Sequence, residues 1–316
     1  MNGGNDWGEL GPDDLRGAVE AAPPGGWRRV VHRLSRGRVN PGESSRQAAE
    51  RGLLDRIRTP LRGDHRIAVM SLKGGVGKTT TTVTLGGVFA SQRGDRVVAV
   101  DANPDLGTLA RRVGEPPDAP TVRDLLAVPD FSRYPQVKAC ASQSSSRLEV
   151  IGSDRDPAVS EAFSEDDYRR AVDILQHHYN IILTDCGTGL LHSAMAGVLD
   201  LAHTLVLVTS PALDGVQSAE ATLDWLEAHG RGALAANAVV VVSGARPGQA
   251  AVDPAVLVSH FGSRTRAVCP VPFDRHLSEG AVVDLARLRP ATLLAYRELA
   301  ATVAEDFTSW HRHAAV

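Results

Sequence analysis

Paired cysteines are missing. The only three, Cys140, Cys186 and Cys269, form no C-x-x-C pair, which excludes a disulfide scaffold and a zinc ribbon and fits a reducing compartment. No apolar stretch approaches the ~18 residues that a bilayer crossing needs. Residues 1–6 offer no cationic start leading into an apolar run, so no secretory signal is expected. Neither sign of charge dominates: 34 basic residues stand against 37 acidic ones, for a net −3, which argues against a whole-chain electrostatic binder of nucleic acid. Together these absences describe a cytoplasmic protein with no integral membrane segment. Lysine is scarcest of all. Only Lys73, Lys78 and Lys138 occur among the 34 basic residues, and two of them fall in one short stretch. Where arginine is the default cation, that clustering points to sites that need an ammonium.

What is present divides into three zones. Residues 1–26 are rich in Gly, Pro and acid and read as a disordered tail. Residues 27–65 read as a basic arm with short helices. Trp27, Val30, Val31 and Leu34 fall on one side of a short amphipathic turn with arginines opposite. A helix over 45–58 carries Ala48, Ala49, Leu53, Leu54 and Ile57, a set suited to packing on a neighbouring domain. Residues 66–316 alternate strands and helices. Strands are expected at 67–71, 97–100, 148–151, 181–183, 205–208, 239–242 and 267–268. Helices are expected at 78–93, 165–178, 215–229, 253–261 and 290–312, and 142–146 reads as a polar loop. The strand runs are β-branched without alternation, so both faces are buried. That predicts an α/β fold, a doubly wound, mostly parallel sheet with helices on both faces.

The decisive stretch is Ser71-Leu72-Lys73-Gly74-Gly75-Val76-Gly77-Lys78-Thr79-Thr80. A strand leads in and a helix leads out, the context a phosphate-binding loop requires. Glycines let successive N–H groups of Gly74, Gly75, Val76 and Gly77 converge on phosphate oxygens, and the helix behind aims its positive end at the same anion. Lys78 is placed to bridge the β- and γ-phosphates and the Thr79 hydroxyl to bind Mg²⁺, with Thr80 nearby. The common pattern wants Gly at position 72, where this chain has Leu.

The version K-G-G-x-G-K-T-T, with Lys73 ahead of the glycines, resembles the deviant Walker A loop of the ParA/MinD family of P-loop ATPases. The resemblance spans about residues 66–300. It implies ATP and Mg²⁺ as ligands, and a homodimer in which Lys73 reaches the partner's nucleotide and neutralises charge on the transferring phosphoryl group. It implies catalytic roles for Lys73, Lys78, Asp101 and Asn103. Asp185, ending the run Ile181–Leu183 and followed by Cys186-Gly187-Thr188-Gly189, is similar to the family's magnesium-holding switch II acid. Asp101 is similar to the first acid of switch I and joins Thr79 and Asp185 as a metal-site residue. The second switch I acid, which positions the attacking water, is Asn103 here. An amide orients water but accepts no proton, so slow basal hydrolysis is expected, with Asp105 as a substitute. Cys186 reads as a small buried side chain. Ser243 stands where the family commonly places an adenine-reading Asn, and Val271-Pro272-Phe273-Asp274 resembles the loop whose backbone lines the adenine pocket. No N-K-x-D guanine motif occurs.

The arm and the run Asp101-Ala102-Asn103-Pro104-Asp105 resemble more narrowly the EspI group of actinobacterial MinD-like proteins associated with type VII secretion. That group carries a long Pro-rich leader, which residues 1–66 do not contain. The function implied is an ATP-switched dimer that positions or regulates a macromolecular assembly, with a protein partner through 27–62. DNA stays open as a partner, with Arg264, Arg266, Arg287 and Arg289 as candidate contacts. The acidic pair Glu305 and Asp306 argues against a carboxyl-terminal membrane helix. Two alternatives stay open: a pseudo-ATPase that uses ATP as a structural ligand, and a metabolic or metal-handling enzyme on the same fold, for which the scattered cysteines supply no cluster site.

Overall fold

The computed structural model describes residue 34 and residues 44–103, 107–114, 116, 118–154, 163–190, 192–246 and 251–308. The expected tail, the amphipathic turn at 27–33 and Asp105 lie outside them. The chain divides into a unit of residues 1–52 and a unit of residues 53–316. Helix α1 (Ser45–Ile57) crosses that division. Its amino terminus is capped by Ser44, whose hydroxyl accepts from the Gln47 N–H at 3.2 Å. Ala48 and Ala49, expected to pack, are exposed. In the larger unit Leu53, Leu54 and the fully buried Ile57 join the core.

Eight strands form one sheet. They are β1 (His65–Met70), β2 (Val97–Ala102), β3 (Ser142–Gln143), β4 (Glu149–Ile151), β5 (Ile181–Cys186), β6 (Thr204–Thr209), β7 (Val239–Ser243) and β8 (Ala267–Val271). Their order is β3-β4-β2-β5-β1-β6-β7-β8. Only β3 runs antiparallel, pairing Ser142 with Val150, where the sequence reads as loop. Eleven helices in the described residues include α2 (Lys78–Gln92), α3 (Val122–Leu126), α4 (Tyr134–Lys138), α5 (Glu165–Gln176), α6 (Ser193–Leu201), α7 (Leu213–Ala228), α8 (Gly232–Ala236), α9 (Pro254–Gly262), α10 (Arg275–Ser278) and α11 (Pro290–Ala304).

Successive residues of a strand face opposite sides, and the core divides accordingly. Ile67 and Val69 of β1 pack with α2 and α11 on one face. Ala68 and Met70 pack with α6, α7 and α9 on the other. Further along, Val98, Val100 and Ile182 meet Ala171, Ile174 and Leu175 of α5. Helices therefore cover both faces, as the unbroken apolar strands require. α11 ends at Ala304, short of the expected 312, and a 3-10 turn Glu305–Thr308 follows. Asp306 explains the stop. It turns inward, accepting from Thr204 Oγ1 at 2.9 Å and from Arg266 Nη1 at 3.0 Å.

The four arginines considered for DNA are all ion-paired: Arg264 with Asp224 and Glu227, Arg266 with Asp306, Arg287 with Glu279, and Arg289 with Asp274. No helix among the described residues is long and apolar enough to cross a membrane.

Candidate functional site

The site lies where β1 gives way to α2, at the carboxyl ends of the parallel strands, the edge at which open α/β sheets bind ligands. After Met70 the chain turns at Ser71, whose hydroxyl accepts the Lys73 N–H at 3.1 Å. Gly77 then caps α2 with φ of 100°, a left-handed conformation that costs an L side chain ~1–2 kcal/mol. A Cβ there would also stand 3.3 Å from Ser243 Oγ at the end of β7. The loop's shape and its approach to β7 thus both demand the glycine.

Beneath the loop, Lys78 is 9% exposed and Asp185 of β5 is 1% exposed. The Thr79 hydroxyl and the Lys78 charge both act on the Asp185 carboxylate, each favouring its ionised form. Thr82 Oγ1 donates to Asp185 Oδ1 at 3.4 Å and to the Lys78 carbonyl at 3.1 Å. Asp101 of β2 pairs in register with Asp185, so two buried carboxyls sit on neighbouring strands. Burial first, and then the charge of Asp185, pushes the Asp101 carboxyl well up from the usual range. Burial also raises Asp185, against the pull of Thr79, Lys78, Thr82 and Arg112. Burial pushes the neighbouring Cys186 thiol far up as well, which leaves it a packing residue and not a nucleophile.

A cleft of about 510 Å³ opens over the loop. It brings together residues expected at the site: Gly74 to Thr80 from the loop and α2, Asn103, Ser243, Pro272 and Phe273. Three expected residues are not on its walls. Asp185 lies below. Lys73 stands beside the cleft, its Nζ 2.5 Å from Asp214 Oδ2 at the start of α7. Asp101 is absent from those walls and lines an adjoining cavity of about 330 Å³ with Val122, Leu126 and Phe163. Its two oxygens accept the N–H groups of Asn103 and Leu109, each at 3.1 Å. The cleft also gathers Thr108, Arg112, Thr188 and Tyr296, which sequence reasoning missed. They come from three separate segments, Thr108 and Arg112 sharing the one after β2.

These groups suit a magnesium nucleotide. Convergent loop amides and a buried ammonium fit a polyphosphate. A hydroxyl and a carboxylate in contact fit Mg²⁺, which takes one or two protein groups and draws its remaining ligands from phosphate and water. Among the described residues no cluster of three His, Cys, Asp or Glu could hold a metal by itself.

A doubly wound parallel sheet with a glycine loop feeding the amino terminus of its first inner helix defines the class of P-loop nucleotide-binding proteins. The CobQ/CobB/MinD/ParA nucleotide binding domain matches residues 67–307, and the chain belongs to that family. It is 38% identical over 284 residues to the ESX-1 secretion-associated protein EspI of Mycobacterium tuberculosis, covering 89% of this chain and 42% of EspI. The chain thus spans less than half the length of that relative. Among solved structures it shares its fold with the cell division ATPase MinD of Pyrococcus furiosus (TM-score 0.58, 24% identity, 76% of this chain and 98% of the other). It shares it too with cobyrinic acid a,c-diamide synthase of Mycobacterium smegmatis, solved with an ATP analogue and magnesium (TM-score 0.56, 22% identity, 78% and 97%).

Proposed function

We propose that this chain is an ATP-dependent switch. It binds ATP with Mg²⁺, hydrolyses it slowly, pairs with a second copy in the ATP state, and so positions or regulates a macromolecular assembly. The single observation that carries the reading is the meeting of Lys78, Thr79 and Asp185 beneath the Gly74–Gly77 loop. The magnesium nucleotide brings the phosphoanhydride bond, and the chain's own groups bind and orient it. Loop amides and Lys78 hold the phosphates, Thr79 and Asp185 hold the metal, and Asp101 adds a second acid one strand away. Ser243, Pro272 and Phe273 flank the base. Asn103 orients water without taking its proton, so turnover without a partner is slow. Lys73 leaves Asp214 to complete the nucleotide site of the second copy.

The similarity to EspI supports an assembly of the type VII secretion class, and residues 27–62 are the proposed partner-binding segment. With its four candidate arginines in ion pairs, DNA is the weaker partner and serves as one arm of the test. Titration with Mg-ATP, followed by sedimentation with and without DNA or liposomes, checks the reading. Wild type binds and self-associates. Lys78→Ala loses nucleotide more than about tenfold, and Lys73→Ala binds it but neither pairs nor turns over. A wild-type chain that takes up no Mg-ATP ends the proposal.

Asn103 also supports a second reading, in which ATP is a structural ligand and is not cleaved. Single-turnover hydrolysis separates the two. On the first reading Asn103→Asp speeds basal turnover by about tenfold or more. A wild type that already matches this variant without any partner contradicts the assigned role of Asn103.

A further inference from the structure

Among the described residues that line the cleft, one cation besides Lys78 has no part in the phosphate loop. Arg112 belongs to the 3-10 turn Ala110–Val113 that follows β2. It lines the cleft with Lys78, Thr79, Asn103, Thr108 and Thr188, near enough to Asp185 for the two charges to act on each other. The residue is half-buried. Desolvation lowers its pKa while the nearby charge of Asp185 opposes that shift, and Arg112 in turn is one of the cations restraining Asp185. A guanidinium has five N–H donors. Among the described residues this one makes a single long hydrogen bond, to the Ala281 carbonyl at 3.4 Å, and no ion pair within 4.0 Å.

The backbone beneath Arg112 is fixed from both sides. Asp101 accepts the Leu109 N–H just before the turn. It packs so closely on Gly107 that a Cβ there would fall 2.0 Å from its Oδ2. From the other side the Val283 N–H donates to the Arg112 carbonyl at 2.8 Å. A half-desolvated cation with spare donors, held by its backbone in the wall of the cleft that the phosphate loop also lines, is built for an anion.

We propose that Arg112 is a second cation of the phosphate site, supplied in cis, which grips the terminal phosphate of a nucleoside triphosphate opposite Lys78. This rests on the nucleotide-binding reading above and deepens it, because it names the group that tells triphosphate from diphosphate. The planar fork suits two phosphate oxygens at once, which an ammonium cannot match. It also gives Asp101 a positioning role, since its hydrogen bond to Leu109 holds the turn that presents Arg112.

The test compares Mg-ATP and Mg-ADP affinities of the full chain for wild type, Arg112→Ala, Arg112→Lys and Lys78→Ala. Arg112→Ala loses about tenfold or more in ATP affinity and less than about threefold in ADP affinity. Arg112→Lys falls between, keeping the charge without the fork. Thermal melting without nucleotide shows whether each variant is folded. Should Arg112→Ala melt early, Arg112→Gln repeats the comparison with donors kept and charge removed. If Lys78→Ala binds like wild type, the cleft is not the nucleotide site and the underlying reading fails. If Lys78→Ala loses binding while the Arg112 variants lose ATP and ADP equally, or lose neither, Arg112 only packs against the 281–283 segment and this inference alone is overturned.

Discussion

Lys73 is the residue whose role and position differ most. The proposed function needs its ammonium on a second copy's nucleotide, yet here it is paired with Asp214 of its own chain. The Lys73 hydrogen bond is the main reason the Asp214 carboxyl is held below the usual range. Asp214 is two-thirds exposed, and exposed ion pairs are weak and screened by salt. Asp214 therefore acts as a competitor for Lys73 and adds little to stability. Asp214→Asn leaves the melting midpoint unchanged and promotes ATP-driven self-association at low salt, as read by sedimentation. An unchanged association constant would remove Asp214 from that role. The phosphate loop was legible from sequence because its whole chemistry is contiguous. Arg112 and Thr188 were not, because only the strand order β2-β5-β1 brings the loops that carry them over one cleft. Asp101 was legible as a strand-end acid, but not its orientation, which depends on the Leu109 amide eight residues away.

At the scale of elements, the register of β2 against β5 sets the electrostatics. It puts Asp101 beside Asp185, and burial together with that neighbour raises the folded-state pKa of Asp101. The folded chain therefore keeps a proton that the unfolded chain releases near pH 3.9. The stability so gained is complete below that pH and is lost as pH rises through the folded value. His65 on β1 works in the opposite direction. Burial lowers its pKa, so its contribution is present above about pH 6.5 and fades as pH falls below it. A plain pH–stability curve mixes the two, and Asp101→Asn separates them. The melting midpoint of the variant minus that of wild type, measured in EDTA, rises from pH 5 to pH 8. Saturating Mg-ATP shrinks the difference by supplying positive charge to the carboxyl pair. A difference independent of pH would mean that the two acids do not share their charge as described. Element ends were harder to read than element types. β8 continues through Pro270 to Val271 although a proline normally breaks a ladder. It is tolerated because β8 is the edge strand, where a missing N–H faces no neighbour.

At the scale of the whole molecule, the question is how much of the chain the nucleotide-binding fold requires. The described part of the smaller unit is mostly the first two turns of α1, while the last turn belongs to the larger unit's core. Ile57 is fully buried there, and its carbonyl, with that of Thr59, accepts from Arg93 Nη1 at 2.6 and 2.8 Å. The Arg93 side chain is only 4% exposed and also pairs with Asp95. Its guanidinium thus depends on the segment after α1 for part of its satisfaction. A chain of residues 44–316 keeps the Ser44 cap, all of α1 and both carbonyls, and is expected to melt with the full-length protein and bind Mg-ATP equally well. A chain of residues 61–316 loses the Ile57 side chain, a cavity-type loss of ~2–5 kcal/mol, and strands two donors of a buried cation. For a unit of this size the melting midpoint falls by about 10 °C, while Mg-ATP affinity well below that temperature stays within about threefold of wild type, because none of the described residues among those deleted lines the cleft. Calorimetry and titration on the same samples decide it. Equal midpoints for the two truncations would show that the last turn of α1 is not part of the core, and a nucleotide affinity lost with the midpoint intact would show that the segment acts on the site itself.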